Sequence, residues 1–459
     1  VGALEGDKIV MRHVIIRIGL ISAFLAIWVF VVSSWRTEAK ADESTSHDKI
    51  ETAMNEMAER YVKLVLAVGE HDPIYVDAYS GPEAWRINAK EEKKPLATIE
   101  QEARRLIAEL QKLDVSGCED VVRLRRTFLS KQLESLAART RMLQGVHYTF
   151  AEETKALYDI IVPPFNERDI KAKLARLDSL LPAGEGSLGD RLERLREDII
   201  VPKDKVAAIF TTVIEEARRR TRQHIVLPGN ESFSVEYVTN EPWVAYNWYK
   251  GNGHSVIQLN IDLPQDVDSL VHLACHEGYP GHHVQNVLFE QRLVKERGWV
   301  EFTVSPFFSP LSPLIEGSAE FGEEVVFPGE ERLAFERDVL CRLAGLDAAK
   351  AATYDAVMTL VSQLGAAQNE AGRRYLNGEL TAKETAVFLH TYTLMSLERA
   401  RKRVAFMDRY RSYFVNLVVG YDLAKRYIEK KGGTPDQPGK RWEEYAALIS
   451  MPRVPSEVK

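Results

Sequence analysis

Two hydrophobic periods divide this chain. From Glu43 to about Arg222, apolar residues recur at three- and four-residue spacing among charged ones, as in Ile99 to Leu113 and Val121 to Leu143. That spacing lays the apolar side chains along one stripe of a helix. The same pattern returns after Pro264 and continues to the end. Between Phe233 and Asp262 it gives way to alternation: first Phe233, Val235 and Tyr237, then Ile257, Leu259 and Ile261 against Gln258, Asn260 and Asp262. These stretches predict two strands, joined through the aromatic, turn-rich segment Trp243 to Gly253. The fold class that follows is mainly α with one small β-sheet inset. Prolines and glycines predict loops at Pro163-Pro164, Leu181 to Gly189, Pro306 to Pro313, Phe327 to Gly329 and Gly432 to Gly439.

Charge and cysteine usage exclude several classes. With 60 Lys and Arg against 67 Asp and Glu, the net charge of -7 gives no general attraction to phosphates, so no nucleic-acid partner is expected. Cys118, Cys275 and Cys341 are odd in number and far apart, which fits neither a disulfide framework nor a Cys-rich zinc finger.

The N-terminus reads as an export signal. Met11, Arg12, His13 and Arg17 precede an apolar stretch from Ile18 to Trp35, and Ala39 and Ala41 form an A-x-A pattern that places cleavage before Asp42. The residues ahead of Met11 read as a translation-start artefact. No Cys follows the apolar stretch, so lipidation is not expected. Uncut, this stretch would just span a bilayer, at roughly 1.5 Å per residue against ~30 Å of hydrocarbon. A membrane association is expected only in that case.

Chemistry concentrates in His272-Leu-Ala-Cys-His276-Glu277-Gly-Tyr-Pro280-Gly281-His282-His283-Val-Gln285, which holds four of the 11 histidines. A Glu directly after a ligand His is how metallohydrolases set a base beside the metal. In the usual H-E-x-x-H helix the second His stands at i+4, and here that position is Pro280. Two geometries remain open. His272 and His276 lie one turn apart, about 6 Å on a helical face. Alternatively, Pro280-Gly281 breaks the helix and lets His282 swing back, with His283 needing a longer detour. Cys275 stands a ~100° step from His276 and reads as a small core residue.

The run from His276 and Glu277 through Pro280, Gly281 and His282 to Gln285 resembles the H-E-x-x-P-G-H-x-x-Q motif of the bacterial DUF885 family, in the zincin-like metallopeptidase superfamily. Val76-Asp-Ala-Tyr-Ser-Gly-Pro82 is similar as well, and Glu316-Gly317 looks like the family's second motif, E-G-W-A. Ser318 departs from it, standing where an aromatic is usual, which puts the shape of the pocket wall in question. The similarity covers nearly all of Glu43 to Pro455.

This resemblance implies a helical zincin-like fold with the sheet just ahead of the metal helix, and Zn2+ as cofactor. It favours His276 and His282 over His283 as ligands, with Glu316 on the next helix as the third. Small residues at 317, 318, 319 and 322 would let that helix pack against the one carrying His276. Glu320 is expected to orient a ligand, His272 and His283 to be structural or outer-sphere, and at least one of Glu320, Glu323 and Glu324 to be a solvated face. Glu277 is the expected general base. Tyr413, from the set Tyr410, Tyr413 and Tyr421, is the expected oxyanion donor. The strand Ser255 to Asp262 is expected to be an edge that pairs with an extended peptide.

The chain then divides into a signal or anchor over 1–41, an N-terminal helical region over 42–230 and a zincin-like catalytic region over 231–459. The function implied is an exported, periplasmic or secreted, zinc metallopeptidase acting on short peptides. Two other readings stand beside it: a non-catalytic membrane-tethered binding protein of the same fold, and a single-metal amidohydrolase acting on a non-peptide amide. N-terminal sequencing of the protein from its producing cell is expected to begin at Asp42. A membrane-bound chain beginning at Met11 would make the segment an anchor.

Overall fold

The computed structural model describes residues 48–241 and 243–458. The expected export signal lies outside them, and no helix among the described residues is long and apolar enough to cross a membrane. The protein is mainly α with little sheet. Helices form where the 3.6-residue stripe predicts them. Leu96–Gln111 buries Ile99, Ala103, Leu106 and Leu110, and Asp120–Leu143 buries Val121, Val122, Phe128, Leu129, Leu133 and Leu136 along one side. Reciprocal capping boxes start Phe150–Tyr158 (Thr149 with Glu152), Leu188–Glu197 (Ser187 with Asp190) and Ala382–Thr393 (Thr381 with Glu384). The interruptions fall near the expected prolines and glycines, although Gly189, Pro313 and Gly439 sit in the first turns of helices.

The sheet departs from expectation in two ways. Its members are β2 (Ser232–Val238), β3 (Ala245–Gly251) and β4 (His254–Asn260), while β1 (Val76–Tyr79) pairs separately with β5 (Val304–Pro306). The segment expected to be a turn-rich joint is therefore itself a strand. It forms a hairpin with β4 through Asn252-Gly253, both at positive φ, the backbone that an Asn-Gly pair adopts readily. Second, β4 is central, parallel to β2 and antiparallel to β3, and is not an edge. Ser255, Ile257 and Leu259 are fully buried on one face of β4. β2 and β3 are the two edges of this sheet, and β3 is the one tied to the metal-type residues, through Asn247 and the Glu277 carbonyl.

One hydrophobic core runs through residues of both halves of the chain. Arg125 in helix Asp120–Leu143 grips Glu301 with two bonds, 2.6 Å from Nε and 3.0 Å from Nη2, and its guanidinium stands 4.5 Å over the Trp299 ring. Neither side chain of the pair is exposed to solvent. Buried Glu153 accepts from Arg411 Nε (2.7 Å) and from the Ser412 amide (3.1 Å), and so pins the short turn Arg411–Phe414.

Helix Ser312–Val326 crosses helix Val415–Lys430 at Gly317 and Gly420, where a Cβ on Gly317 would lie 1.9 Å from the Gly420 carbonyl carbon. The small residues thus serve two contacts rather than the expected one. Gly317 admits the C-terminal helix, while Gly322 lies against Tyr445 and Pro280, beside the break that carries the histidines.

Removing one partner of the Arg125–Glu301 pair strands a buried charge. Arg125→Met is expected to destabilise the protein by roughly 3–5 kcal/mol, read from its denaturation midpoint. The double variant Arg125→Met/Glu301→Leu should recover most of that loss; no recovery would show that the stranded charge is not the cause.

Candidate metal centre

The metal-type residues lie on a helix that breaks and restarts. Helix Val267–Leu273 widens into a π-helical turn over Ala274–Gly278, passes through a cis Tyr279–Pro280 peptide, and a new helix begins at His282. Such turns recur at functional sites. Gly281 folds back on the preceding turn: its amide donates to the Cys275 carbonyl at 3.0 Å, and a Cβ there would lie 2.0 Å from the His276 carbonyl oxygen. The doubled-back chain brings the His282 and His276 rings to 4.5 Å between centroids, at 85°.

Glu231, just before β2, holds this break from outside. It accepts from Tyr279 Oη, from His283 Nε2 (3.0 Å), from Arg218 Nη2 (3.0 Å) and from Arg222 Nη2 (2.6 Å). Against burial, these four donors hold its carboxyl well below the usual range.

His276 Nε2 stands 3.5 Å and His282 Nε2 3.8 Å from Glu316 Oε2, and one ligand atom from each of the three residues lies within 4.8 Å of the others. Ligands bound ~2.0–2.1 Å from a tetrahedral zinc stand about 3.3 Å apart, so this donor set fits one ion with little adjustment. Tyr413 Oη donates to Glu316 Oε1 at 2.8 Å. Burial raises the Glu316 pKa, but His276, His282 and Tyr413 outweigh it and hold the carboxyl at about 2.

The alternative pair is also drawn together, because His272, His276 and Glu320 form a second group of that kind. His276 thus stands between two carboxylates: its Nδ1, without a hydrogen-bond partner, lies 3.4 Å from Glu320. The two groups differ in charge. Burial lowers His272, yet Glu320 and Glu323 lift it to about 10, and Glu323 contacts its Nδ1 at 3.1 Å. Burial and then His276 lower His282 to about 4, leaving it neutral. His276, common to both groups, is raised as well, against burial, by Glu316 and Glu320, so the charges alone do not rank the two groups.

His283 is turned away and wholly buried, between Ser255 Oγ (2.8 Å) and Glu231. Cys275 is buried in the core. Glu277 is buried beside His276, its carbonyl accepting from Asn247 Nδ2 at 2.7 Å, and burial pushes its carboxyl up to about 7. Of the other tyrosines, Tyr410 packs on Phe307, while Tyr421 binds Glu324. None of the three later glutamates is merely a solvated face: Glu320 faces His276, Glu323 binds His272 and Arg332, and Glu324 is held by Tyr421, Lys425 and Arg441. Ser318 is buried, and its carbonyl and that of Pro280 share the Tyr445 hydroxyl, at 3.0 and 3.2 Å.

Sequence reasoning missed Glu231 and Asn247, which lack any local pattern. It singled out the segment containing Asp77 without assigning that residue a role. Asp77 accepts a 2.8 Å bond from Tyr246 of β3.

No family model matches the chain, and no curated protein matches it. Among solved structures, a Colwellia psychrerythraea protein described as a lipoprotein aligns over 81% of this chain and 70% of its own, at 13% identity and a TM-score of 0.51. The two share a fold. Metallocarboxypeptidase 1 of Trypanosoma cruzi aligns over 89% of this chain and 94% of its own, at 13% identity and a TM-score of 0.44. A Shewanella oneidensis lipoprotein of unknown function aligns over 80% and 76%, at 11% identity and a TM-score of 0.40. The last two likenesses are too loose to bear on fold or activity.

Elemental analysis of variants discriminates the two donor groups. His282→Ala should carry almost no metal, while His283→Ala and His272→Ala should keep about one ion per chain. Loss of metal from His272→Ala with retention in His282→Ala would reverse the assignment.

Proposed function

We propose that this chain is an exported zinc metallopeptidase of the DUF885 type that hydrolyses short peptides. The observation that carries the reading is the meeting of His276, His282 and Glu316 on a broken helix and its neighbour, with Glu277 beside them. Two imidazoles and one carboxylate are a donor set that suits zinc and leaves a position open, as catalytic rather than structural sites do. A zinc ion held by these three residues would supply Lewis acidity toward a carbonyl and toward water.

The chain's own residues supply the rest. Glu277 is the general base: its carboxyl, raised by burial, exchanges a proton near neutral pH, and Asn247 fixes its backbone. Burial and then Glu316 raise the Tyr413 phenol well above its usual value, so it keeps its proton. In the resting arrangement that proton orients Glu316. We assign the same phenol to the oxyanion that forms when the carbonyl is attacked. The unpaired edge of β3 offers backbone donors and acceptors to an extended peptide, which favours a peptide over another amide. The lipoprotein description of the Colwellia neighbour accords with a place outside the cytoplasm, as does the signal read over 1–41. The presence of a base beside the donor set argues for turnover rather than a binding role alone.

Glu277→Gln keeps the shape of the side chain and removes its proton-accepting capacity. Near-normal zinc content with peptide hydrolysis reduced at least about a hundredfold is expected. Full activity would remove Glu277 from the reaction, and loss of metal would make it a ligand.

A further inference from the structure

We propose that Asp77 receives a primary ammonium group of the substrate beside the metal centre, an inference that rests on the peptidase reading. The β1–β5 ladder pairs Val76 with Pro306 and Ala78 with Ser305, so Asp77 is the unpaired residue of a bulge. A bulge re-aims the side chain it carries. Oδ1 of Asp77 accepts the Tyr246 hydroxyl at 2.8 Å, and among the described residues no Lys, Arg or His pairs with the carboxylate.

Contacts on both sides place Asp77 at the centre. Two residues before it, the Tyr75 carbonyl accepts the Phe307 amide at 2.8 Å; the Phe307 ring stacks 4.1 Å from Tyr413, which holds Glu316. On the other side, Tyr246 precedes Asn247, which holds the Glu277 carbonyl. Asp77 belongs to neither group of metal-type donors. Its side chain is open to solvent, yet burial by the protein around it raises its proton affinity, Tyr246 lowers it and Glu316 raises it further.

The charge at this position calls for a cation. A carboxylate near enough to feel the charge of Glu316, with no positive partner, is repelled until positive charge enters. Tyr246 fixes one oxygen and leaves the other for a charge-assisted bond. The anchoring tyrosine belongs to an aromatic cluster: Tyr246 lies 4.6 Å from Trp248 and 5.7 Å from Trp243 between centroids. Rings of this kind attract an ammonium through their faces. A peptide lying along β3 can bring that ammonium as its α-amino terminus or as a lysine side chain.

Calorimetry on zinc-loaded Glu277→Gln, which spares the peptide, tests this with trialanine, N-acetyl-trialanine and an N-acetylated tripeptide with a central lysine. At least one ammonium-bearing peptide should bind about tenfold or more tightly than N-acetyl-trialanine, and which of the two does so identifies the source. Adding Asp77→Asn should abolish the difference, and adding Tyr246→Phe, which leaves the carboxylate in place but unanchored, should reduce it. Equal behaviour of all three peptides, or a preference that survives Asp77→Asn, overturns the proposal. Hydrolysis by the unaltered enzyme is read separately: an Asp77-dependent preference without hydrolysis would sink the peptidase reading and leave the ammonium site standing. Hydrolysis without the preference would do the reverse.

Discussion

The Glu231 carboxylate is the fixed point around which the site is built. It binds Tyr279 and His283, which lie on either side of the Pro280-Gly281 break, so the path of the chain between them, and with it His282, is held from both ends. Two arginines of helix Val206–His224 keep Glu231 ionised although it is buried. The same network continues from His283 to Ser255, from Ser255 to Asn247 and from Asn247 to the Glu277 carbonyl. One buried charge thereby orders both the second histidine and the base. A buried carboxylate with all its donors present is stable, and with one missing it is costly, which makes such a hub an all-or-none arrangement.

The centre is completed by elements far away in sequence. Tyr413 reaches Glu316 from a turn that Glu153 of the N-terminal half pins in place. Phe307 joins that tyrosine to the β1–β5 ribbon, and Tyr246 joins the ribbon to β3. The close crossing of Gly317 and Gly420 sets the helix that presents Glu316. The N-terminal helices therefore carry buried charges that set the geometry of groups in the second half.

His276 stands where two possible donor sets meet. Its two ring nitrogens face two carboxylates, and a histidine lies near each. On one side His272 is held as a cation by two glutamates; on the other His282 is kept neutral by burial.

Local pattern determined much of this protein. The three-and-four spacing of residues such as Ile99, Ala103 and Leu106 specifies a helix because each residue's burial depends on neighbours within a turn. The spacing from His276 to His282 through Pro280-Gly281 already marked a broken helix with metal-type donors. Other features were invisible because they depend on contacts across long separations. All but one of the seven residues of β3 are half-buried, so the strand lacks the alternation that betrays one-sided burial. The central place of β4 follows from pairing with both β2 and β3, which no single strand encodes. Glu231, Asn247 and the aim of Asp77 acquire meaning only when residues tens of positions apart meet. Buried hydrogen bonds and charges are satisfied in three dimensions, and only the tertiary structure decides which partners satisfy them.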